Sequence, residues 1–184
     1  IDSIDSVTAA RLGIMVGRTT NAFTTPVADS VLGYMLAFSR RGPWMDAAMK
    51  RGEWDRKTFV GVELQGKTLG IVGLGRIGQR VASRALAFEM RVVAFDPFLE
   101  PEQAKRLGVA LLPLDDLMTQ SDVVTLHTPF NKATRHLIDA RRLGLMKPGA
   151  LFVNCGRGGL VDEDALLAAP ESGRLAGAGL HAYE

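Results

Sequence analysis

A G-x-G-x-x-G motif over residues 73–78, enclosed by two short apolar runs, constrains the fold of this chain more than any other feature. The first run, 68–72, ends directly before the motif, and the second, 91–95, ends directly before Asp96. Between them, apolar residues recur at helical spacing. The order is therefore strand, glycine turn, helix, second strand and acid. A dinucleotide-binding unit requires this context.

Each glycine of the motif has its own physical role. Gly73 permits the tight turn after the strand, and Gly75 lets the backbone approach a pyrophosphate without a Cβ in the way. Gly78 lets the helix pack closely on the strand. The helix begins here, so its free N–H groups and the positive end of its dipole face bound phosphates.

Asp96 favours NAD over NADP. Its carboxylate can accept hydrogen bonds from both ribose hydroxyls of an adenosine, and the same charge would repel a 2′-phosphate. The next residues, Pro97 and Phe98, supply no cation to accommodate such a phosphate. We therefore predict that the cofactor is NAD.

Strands and helices alternate after Asp96 and predict an α/β fold. Strands separated by helix-length segments indicate a Rossmann-like, doubly wound, mainly parallel sheet with helices on both faces. The strands predicted after Asp96 are 109–112, 122–127, 150–154 and 175–183, and the helices are 100–107, 114–120, 139–146 and one that Asp162 caps. We expect Pro170 to end this last helix early.

The N-terminal part of the chain supports three narrower expectations. The pattern predicts a short strand over 14–16 and an irregular arm over 53–65 that Trp54 and Phe59 anchor. The helix predicted over 24–41 is apolar around most of its circumference. Such a helix is buried on several sides, either inside its own domain or against another subunit.

Composition narrows the class of protein. Of 184 residues, 47% are hydrophobic and 23% are charged, which is typical of a globular domain with a normal core. The net charge of +2 is too small to argue for nucleic acid or a membrane surface as a partner, and no basic run accompanies it. One cysteine excludes an internal disulfide and is compatible with the reducing cytoplasm. Together with three histidines it shows no metal-ligand spacing, so we expect no metal site.

Three motifs together, GLGRIG at 73–78, HTP at 127–129 and NCGRGG at 154–159, resemble those of the D-isomer-specific 2-hydroxyacid dehydrogenases. The longer run 146–167 is similar to that family's signature and is far more specific than the glycine motif alone. The resemblance implies two α/β domains with NAD in the cleft between them. It implies that 1–184 is a single NAD-binding domain, in which 1–20 is the hinge region from a substrate domain outside this sequence.

The resemblance also assigns residues to the cofactor site. Arg76 and Ile77 would offer backbone N–H groups to the pyrophosphate, and Thr134 would offer its hydroxyl to the phosphates. His127 has two open interpretations, a hydrogen-bonded structural residue or part of the adenine-side wall. The cofactor-binding set is Gly73, Gly75, Arg76, Ile77, Gly78, Asp96, Pro97, His127, Thr128, Pro129, Thr134, Cys155, Gly156, Arg157 and His181.

Arg157 is the catalytic residue that the resemblance places in this chain. In the family its guanidinium binds the carboxylate and carbonyl of the substrate, a planar fork meeting two oxygens. The proton-transferring histidine and its orienting glutamate would lie beyond Glu184. His181 stands where the family usually has an aspartate that contacts the carboxamide of nicotinamide. We expect Cys155, beside this site, to be a small buried hydrophobic residue.

The function implied is hydride transfer by the parent enzyme between NAD(H) and a 2-hydroxyacid/2-oxoacid pair of the phosphoglycerate or glyoxylate/hydroxypyruvate type. Two alternatives stay open. One is a dinucleotide-sensing corepressor of the C-terminal-binding-protein type, and the other is a methyltransferase that uses the glycine loop for adenosylmethionine. We further expect a cytoplasmic homodimer that pairs through this domain, with a small-molecule substrate and neither nucleic acid nor a membrane as partner.

Overall fold

A computed structural model describes residues 4–17, 19, 22–54, 60–171 and 173–183 of the chain. The strands are β1 Thr68–Val72, β2 Arg91–Phe95, β3 Ala110–Leu111, β4 Val123–Leu126, β5 Ala150–Asn154 and β6 Leu175–Leu180. Within the described residues they form one parallel sheet in the order β3-β2-β1-β4-β5-β6. The predicted Rossmann-like sheet is therefore confirmed.

Helices precede the first strand and lie in every connection between consecutive strands. They are α1 Ser6–Arg11, α2 Thr24–Arg40, α3 Gly42–Lys50, α4 Arg76–Ala87, α5 Pro101–Arg106, α6 Leu114–Gln120, α7 Ala140–Leu145 and α8 Glu163–Glu171, with a 3₁₀ turn at Gly158–Leu160. The bounds of α6 are the predicted ones. Among the described helices, none is long and apolar enough to cross a membrane.

The two faces of the sheet are covered by different helices, as predicted. All five residues of β1 are buried, which is typical of a central parallel strand. Successive side chains of a strand point to opposite faces. Ile71 accordingly packs in the core cluster formed with α2, α4 and α5, whereas Val72 packs in the cluster formed with α6, α7 and α8.

Small residues in β6 make room for α2. A Cβ added to Gly177 would overlap the ring of Phe38, and one added to Gly179 would lie 2.8 Å from Cγ of Tyr34. The Tyr34 hydroxyl donates a hydrogen bond to the Leu180 carbonyl, 3.0 Å away. The apolar helix α2 is therefore buried inside its own domain, against β6 and against α4.

Three local expectations are wrong. Segment 14–16 is largely exposed and forms no strand with any described neighbour. Trp54 is 68% exposed and so does not anchor the arm to this domain, while Phe59 lies outside the described residues. Helix α8 includes Pro170 in its last turn and ends at Glu171, so the proline does not end the helix before it.

We predict that Gly177→Val destabilises the domain by about 1–3 kcal/mol, because the new side chain must displace the ring of Phe38. The matched control is Ala176→Val in the same strand, where the side chain is exposed. This control should change the free energy of unfolding by less than about 0.5 kcal/mol. Urea unfolding followed by circular dichroism measures both, and equal effects would contradict the packing of α2 on β6.

Candidate cofactor site

The predicted site residues lie at one edge of the sheet, where the strands end. The residues that directly follow strands are Gly73 after β1, Asp96 after β2, His127 after β4, Cys155 after β5 and His181 after β6. Strands β1 and β4 are neighbours, although the chain passes through β2 and β3 between them. This is a topological switch point, and open α/β sheets bind ligands in the crevice at the carboxyl ends of such strands.

The glycine loop has the geometry that its sequence predicts. Gly73 has a φ of 94° and donates its N–H to the Phe95 carbonyl at 2.8 Å. A Cβ on Gly73 would lie 2.9 Å from the carbonyl carbon of His127, so a side chain is excluded there. A Cβ on Gly78 would overlap the Gly73 carbonyl and lie 3.2 Å from Cγ2 of Ile71. These two glycines bring the turn and α4 close to β4 and β1.

Gly75 differs from the other two glycines because the space beside it is open. A Cβ built on Gly75 would meet no described atom within 4 Å. Gly75 is also the N-cap of α4, and within the described part of the chain no side chain caps this end or places an acid in its first turn. An uncapped helix start beside open space fits the diphosphate of a dinucleotide, since its N–H groups and dipole favour an anion.

The carboxylate of Asp96 is fixed next to this loop. Its Oδ2 accepts a hydrogen bond from the Leu74 N–H at 2.9 Å, and its Oδ1 accepts one from the Phe98 N–H at 3.0 Å. Each carboxylate oxygen keeps further acceptor capacity for ribose hydroxyls. The half-buried Asp96 therefore lies beside the glycine turn, as expected of a residue that holds the adenosine ribose.

His127 is a neutral imidazole at physiological pH. Burial lowers the pKa of its ring to about 4, so the ring cannot serve as a cation for the phosphates. Its Nε2 lies 3.1 Å from Oγ1 of the fully buried Thr125. Its Nδ1 is buried and has no hydrogen-bond partner among the described residues. The contact with Thr125 supports the structural interpretation of His127.

Thr134 closes the loop that follows β4. Its hydroxyl donates to the Pro129 carbonyl at 2.8 Å and accepts from the Asn131 N–H at 2.8 Å. These contacts fix the loop that Thr128 and Pro129 begin. The described contacts of the hydroxyl are thus made within this loop, and its predicted contact with phosphate remains a prediction.

Arg157 is the exposed residue of a turn that Asn154 organises. The Asn154 side chain accepts from the Gly156 N–H at 3.0 Å and donates to the Arg157 carbonyl at 2.9 Å. Its backbone carbonyl accepts from the His181 N–H at 3.0 Å. The structure therefore brings Gly156, Arg157 and His181 together. The sequence interpretation did not single out Asn154, although an amide residue at the end of an otherwise apolar strand is a recognisable signal.

Cys155 is a buried, protonated thiol, as expected. Burial raises its pKa to about 11, so the thiolate is scarce at neutral pH. No group of three or more His, Cys, Asp or Glu residues in the described ranges is arranged to hold a metal ion.

A cavity of about 570 Å³ lies at the opposite edge of the sheet, where the strands begin. Its lining includes Phe38 and Trp44 from α2 and α3, with Lys67 and Asp122 from the chain just before β1 and β4. Asp122 accepts from the Thr68 N–H at 2.8 Å and pairs with Lys147 at 3.1 Å. The described lining of this cavity shares no residue with the predicted cofactor site, so the two belong to separate parts of the domain.

Comparison with known proteins identifies the family. The family described as "D-isomer specific 2-hydroxyacid dehydrogenase, NAD binding domain" matches residues 32–184. The D-3-phosphoglycerate dehydrogenase of Methanocaldococcus jannaschii is 45% identical over 185 residues, which cover 100% of this chain and 35% of that protein. The enzyme of the same name from Rattus norvegicus is 44% identical over 183 residues, with 100% and 34% covered. The chain thus spans about a third of the length of these relatives.

Solved structures agree with this assignment. A D-lactate dehydrogenase from Aquifex aeolicus, complexed with NAD and lactic acid, has a TM-score of 0.90 and 35% identity. The superposed region covers 100% of this chain and 55% of the lactate dehydrogenase chain. A glyoxylate reductase from Paecilomyes thermophila has a TM-score of 0.88 and 40% identity, with 100% and 56% covered. These similarities favour the dehydrogenase interpretation over a corepressor or a methyltransferase. The chain belongs to the D-isomer-specific 2-hydroxyacid dehydrogenase family, as its NAD-binding domain.

Proposed function

We propose that this chain is the coenzyme domain of a larger enzyme that transfers a hydride between NAD(H) and a 2-hydroxyacid/2-oxoacid pair. The observation that carries the proposal is the common position of the glycine loop, Asp96 and the Arg157 turn at one edge of the sheet. Residues 1–184 would form one domain, and 1–20 would be the hinge to a substrate domain. The bound NAD supplies the hydride acceptor or donor.

The residues of this chain would bind and orient the reactants. Backbone N–H groups of Arg76 and Ile77 would hold the pyrophosphate, and Asp96 would hold the adenosine ribose. The residues that would surround the rest of the cofactor are Pro97, His127, Thr128, Pro129 and Thr134 on the adenosine and phosphate side, and Cys155, Gly156 and His181 on the nicotinamide side.

Arg157 would bind the substrate. Its side chain is exposed at the turn, where a guanidinium can donate two parallel hydrogen bonds to a carboxylate and the adjacent carbonyl. The proton-transferring histidine of the family is expected outside this sequence, so we expect turnover from the parent enzyme rather than from this chain. The relatives named D-3-phosphoglycerate dehydrogenase and the glyoxylate reductase support a phosphoglycerate or glyoxylate/hydroxypyruvate pair as substrate.

We also propose a cytoplasmic homodimer. The apolar surface of α2 was the expected dimer interface, but it is largely buried inside the domain. Helix α3 offers a better surface, because Trp44, Met45 and Met49 are 48%, 42% and 54% exposed on it. Apolar residues four apart lie on one face of a helix, so Met45 and Met49 form a continuous patch. The single cysteine, buried as a thiol, supports a reducing compartment.

The cofactor assignment predicts the effect of Asp96→Ala. We expect saturable NAD binding by this chain in calorimetric titration, and a loss of roughly 10- to 100-fold in NAD affinity in the variant, because a charged hydrogen-bond acceptor is removed. NADP should lose less, since the carboxylate that repels its 2′-phosphate is gone. No saturable binding of NAD at millimolar concentration would count against the proposal, and a larger loss for NADP would overturn the preference for NAD.

Substitutions in the glycine loop can distinguish an effect on NAD binding from an effect on the stability of the fold. In Gly75→Ala the new methyl group meets no described atom, so the melting temperature should stay within a few degrees while NAD affinity falls by at least tenfold. In Gly78→Ala the methyl group overlaps the Gly73 carbonyl, so this variant should itself be less stable. Thermal unfolding and NAD titration measure both. Unchanged NAD affinity in Gly75→Ala would refute a diphosphate at this loop.

The proposed dimer predicts that charge on α3 separates the subunits. The double variant Met45→Glu, Met49→Glu should sediment as a monomer, whereas the wild-type chain sediments as a dimer, because two carboxylates per subunit would be desolvated at the interface. The control is Leu167→Glu on α8, where an exposed side chain lies on the other side of the sheet. A wild-type monomer at high concentration in analytical ultracentrifugation would contradict the proposal.

A further inference from the structure

We propose that Asn154 is a positioning residue for the nicotinamide side of the site. Its side-chain amide holds the turn 155–157 in the conformation that presents Arg157 to the substrate and the turn backbone to the nicotinamide. This inference rests on the proposed function. It adds a residue that contacts neither substrate nor cofactor and acts through the turn that it binds.

The Asn154 side chain uses both of its hydrogen-bonding functions on this turn. Asn154 is the last residue of β5 and is fully buried. Its Oδ1 accepts from the Gly156 N–H, and its Nδ2 donates to the Arg157 carbonyl. Only an amide presents an acceptor and a donor on one short planar group. An aspartate in its ionised form would place a second acceptor against the Arg157 carbonyl, and an apolar residue would leave both backbone groups without this partner.

The turn is tightly packed on its other side. A Cβ on Gly156 would lie 2.9 Å from Cδ1 of Leu160 and 3.3 Å from Oδ1 of Asn154. Leu160 itself is fully buried at the end of the 3₁₀ turn. The path of the backbone between Asn154 and Leu160 is therefore fixed at both ends, while the Arg157 side chain is exposed. The amide of Asn154 sets the direction from which that side chain leaves the backbone.

Asn154 also connects the turn to β6. Its backbone carbonyl accepts from the His181 N–H at 3.0 Å, so the last strand ends against the same residue. The buried polar side chains of the described core are Thr68, Ser121, Thr125 and Asn154. Ser121 bonds the Leu117 carbonyl within α6, and Thr125 contacts His127. By contrast, both side-chain bonds of Asn154 reach the turn that carries Arg157, which points to a role in the site rather than in the core.

The test compares two ligands on the 184-residue chain. ADP-ribose reaches the glycine loop and Asp96 but lacks nicotinamide, whereas NAD extends to the Asn154 turn. We expect wild type to bind NAD more tightly than ADP-ribose. Asn154→Ala should lose roughly tenfold in NAD affinity, which corresponds to the loss of about one hydrogen bond between the displaced turn and the nicotinamide. Its affinity for ADP-ribose should stay within about twofold of the wild-type value. Calorimetric titration measures all four affinities.

Two further variants separate positioning from folding. Asn154→Asp keeps the acceptor for Gly156 but cannot donate to the Arg157 carbonyl when ionised, so it should lose NAD affinity at least as strongly as the alanine variant. Ser121→Ala removes another buried side-chain hydrogen bond, at the opposite edge of the sheet, and should leave both affinities unchanged. Thermal unfolding of each variant confirms that the titrated protein is folded.

Several results would overturn the role of Asn154. These are equal losses for NAD and ADP-ribose in Asn154→Ala, full NAD affinity in Asn154→Asp, and equal binding of the two ligands by wild type. In each case wild type still binds NAD, and the proposed function stands. Absence of NAD binding by wild type would instead refute the cofactor site itself, and the role of Asn154 with it.

Discussion

The close contact between the glycine turn and the start of the loop after β4 is the constraint on which the site depends. The His127 N–H donates to the Val72 carbonyl at 2.7 Å, and Gly73 lies against the peptide that joins His127 to Thr128. Because no side chain fits between these backbones, β1 and β4 stay adjacent up to their last residues. The crevice therefore opens directly beyond Gly73, where the uncapped start of α4 faces it.

The carboxyl edge of the sheet carries two different arrangements of polar groups. On the β1–β2 side, backbone amides and the Asp96 carboxylate would be the partners of a diphosphate and a ribose in the proposed site. On the β5–β6 side, the Asn154 amide orders a turn with an exposed guanidinium. The first half is preorganised by glycine geometry and the second by a buried side chain. A dinucleotide that reached both sides would be held at one end by the glycine turn and at the other end by the turn that Asn154 orders.

Much of this arrangement follows from local sequence. The alternation of apolar runs and helical segments specifies the sheet, and Gly73, Gly78 and Asp96 occupy positions that their residue types require. Long-range packing was less predictable. Helix α2 is apolar on most sides, and only the structure shows that its aromatic rings fill the space above the glycines of β6. Segment 14–16 has strand-like residues, but no strand among the described residues pairs with it, which its own pattern cannot reveal. The role of Asn154 was not predictable because its partners are backbone groups of the following turn, although its place at the end of an apolar strand is visible in the sequence.

The position of Cys155 gives the domain a built-in reporter. It is the first residue of the Arg157 turn, it is the sole cysteine of the chain, and its thiol is shielded and protonated. Its burial and its raised pKa both slow alkylation of the sulfur while the turn has this conformation. A change in the rate of alkylation when a ligand binds would therefore report on the environment of this one segment.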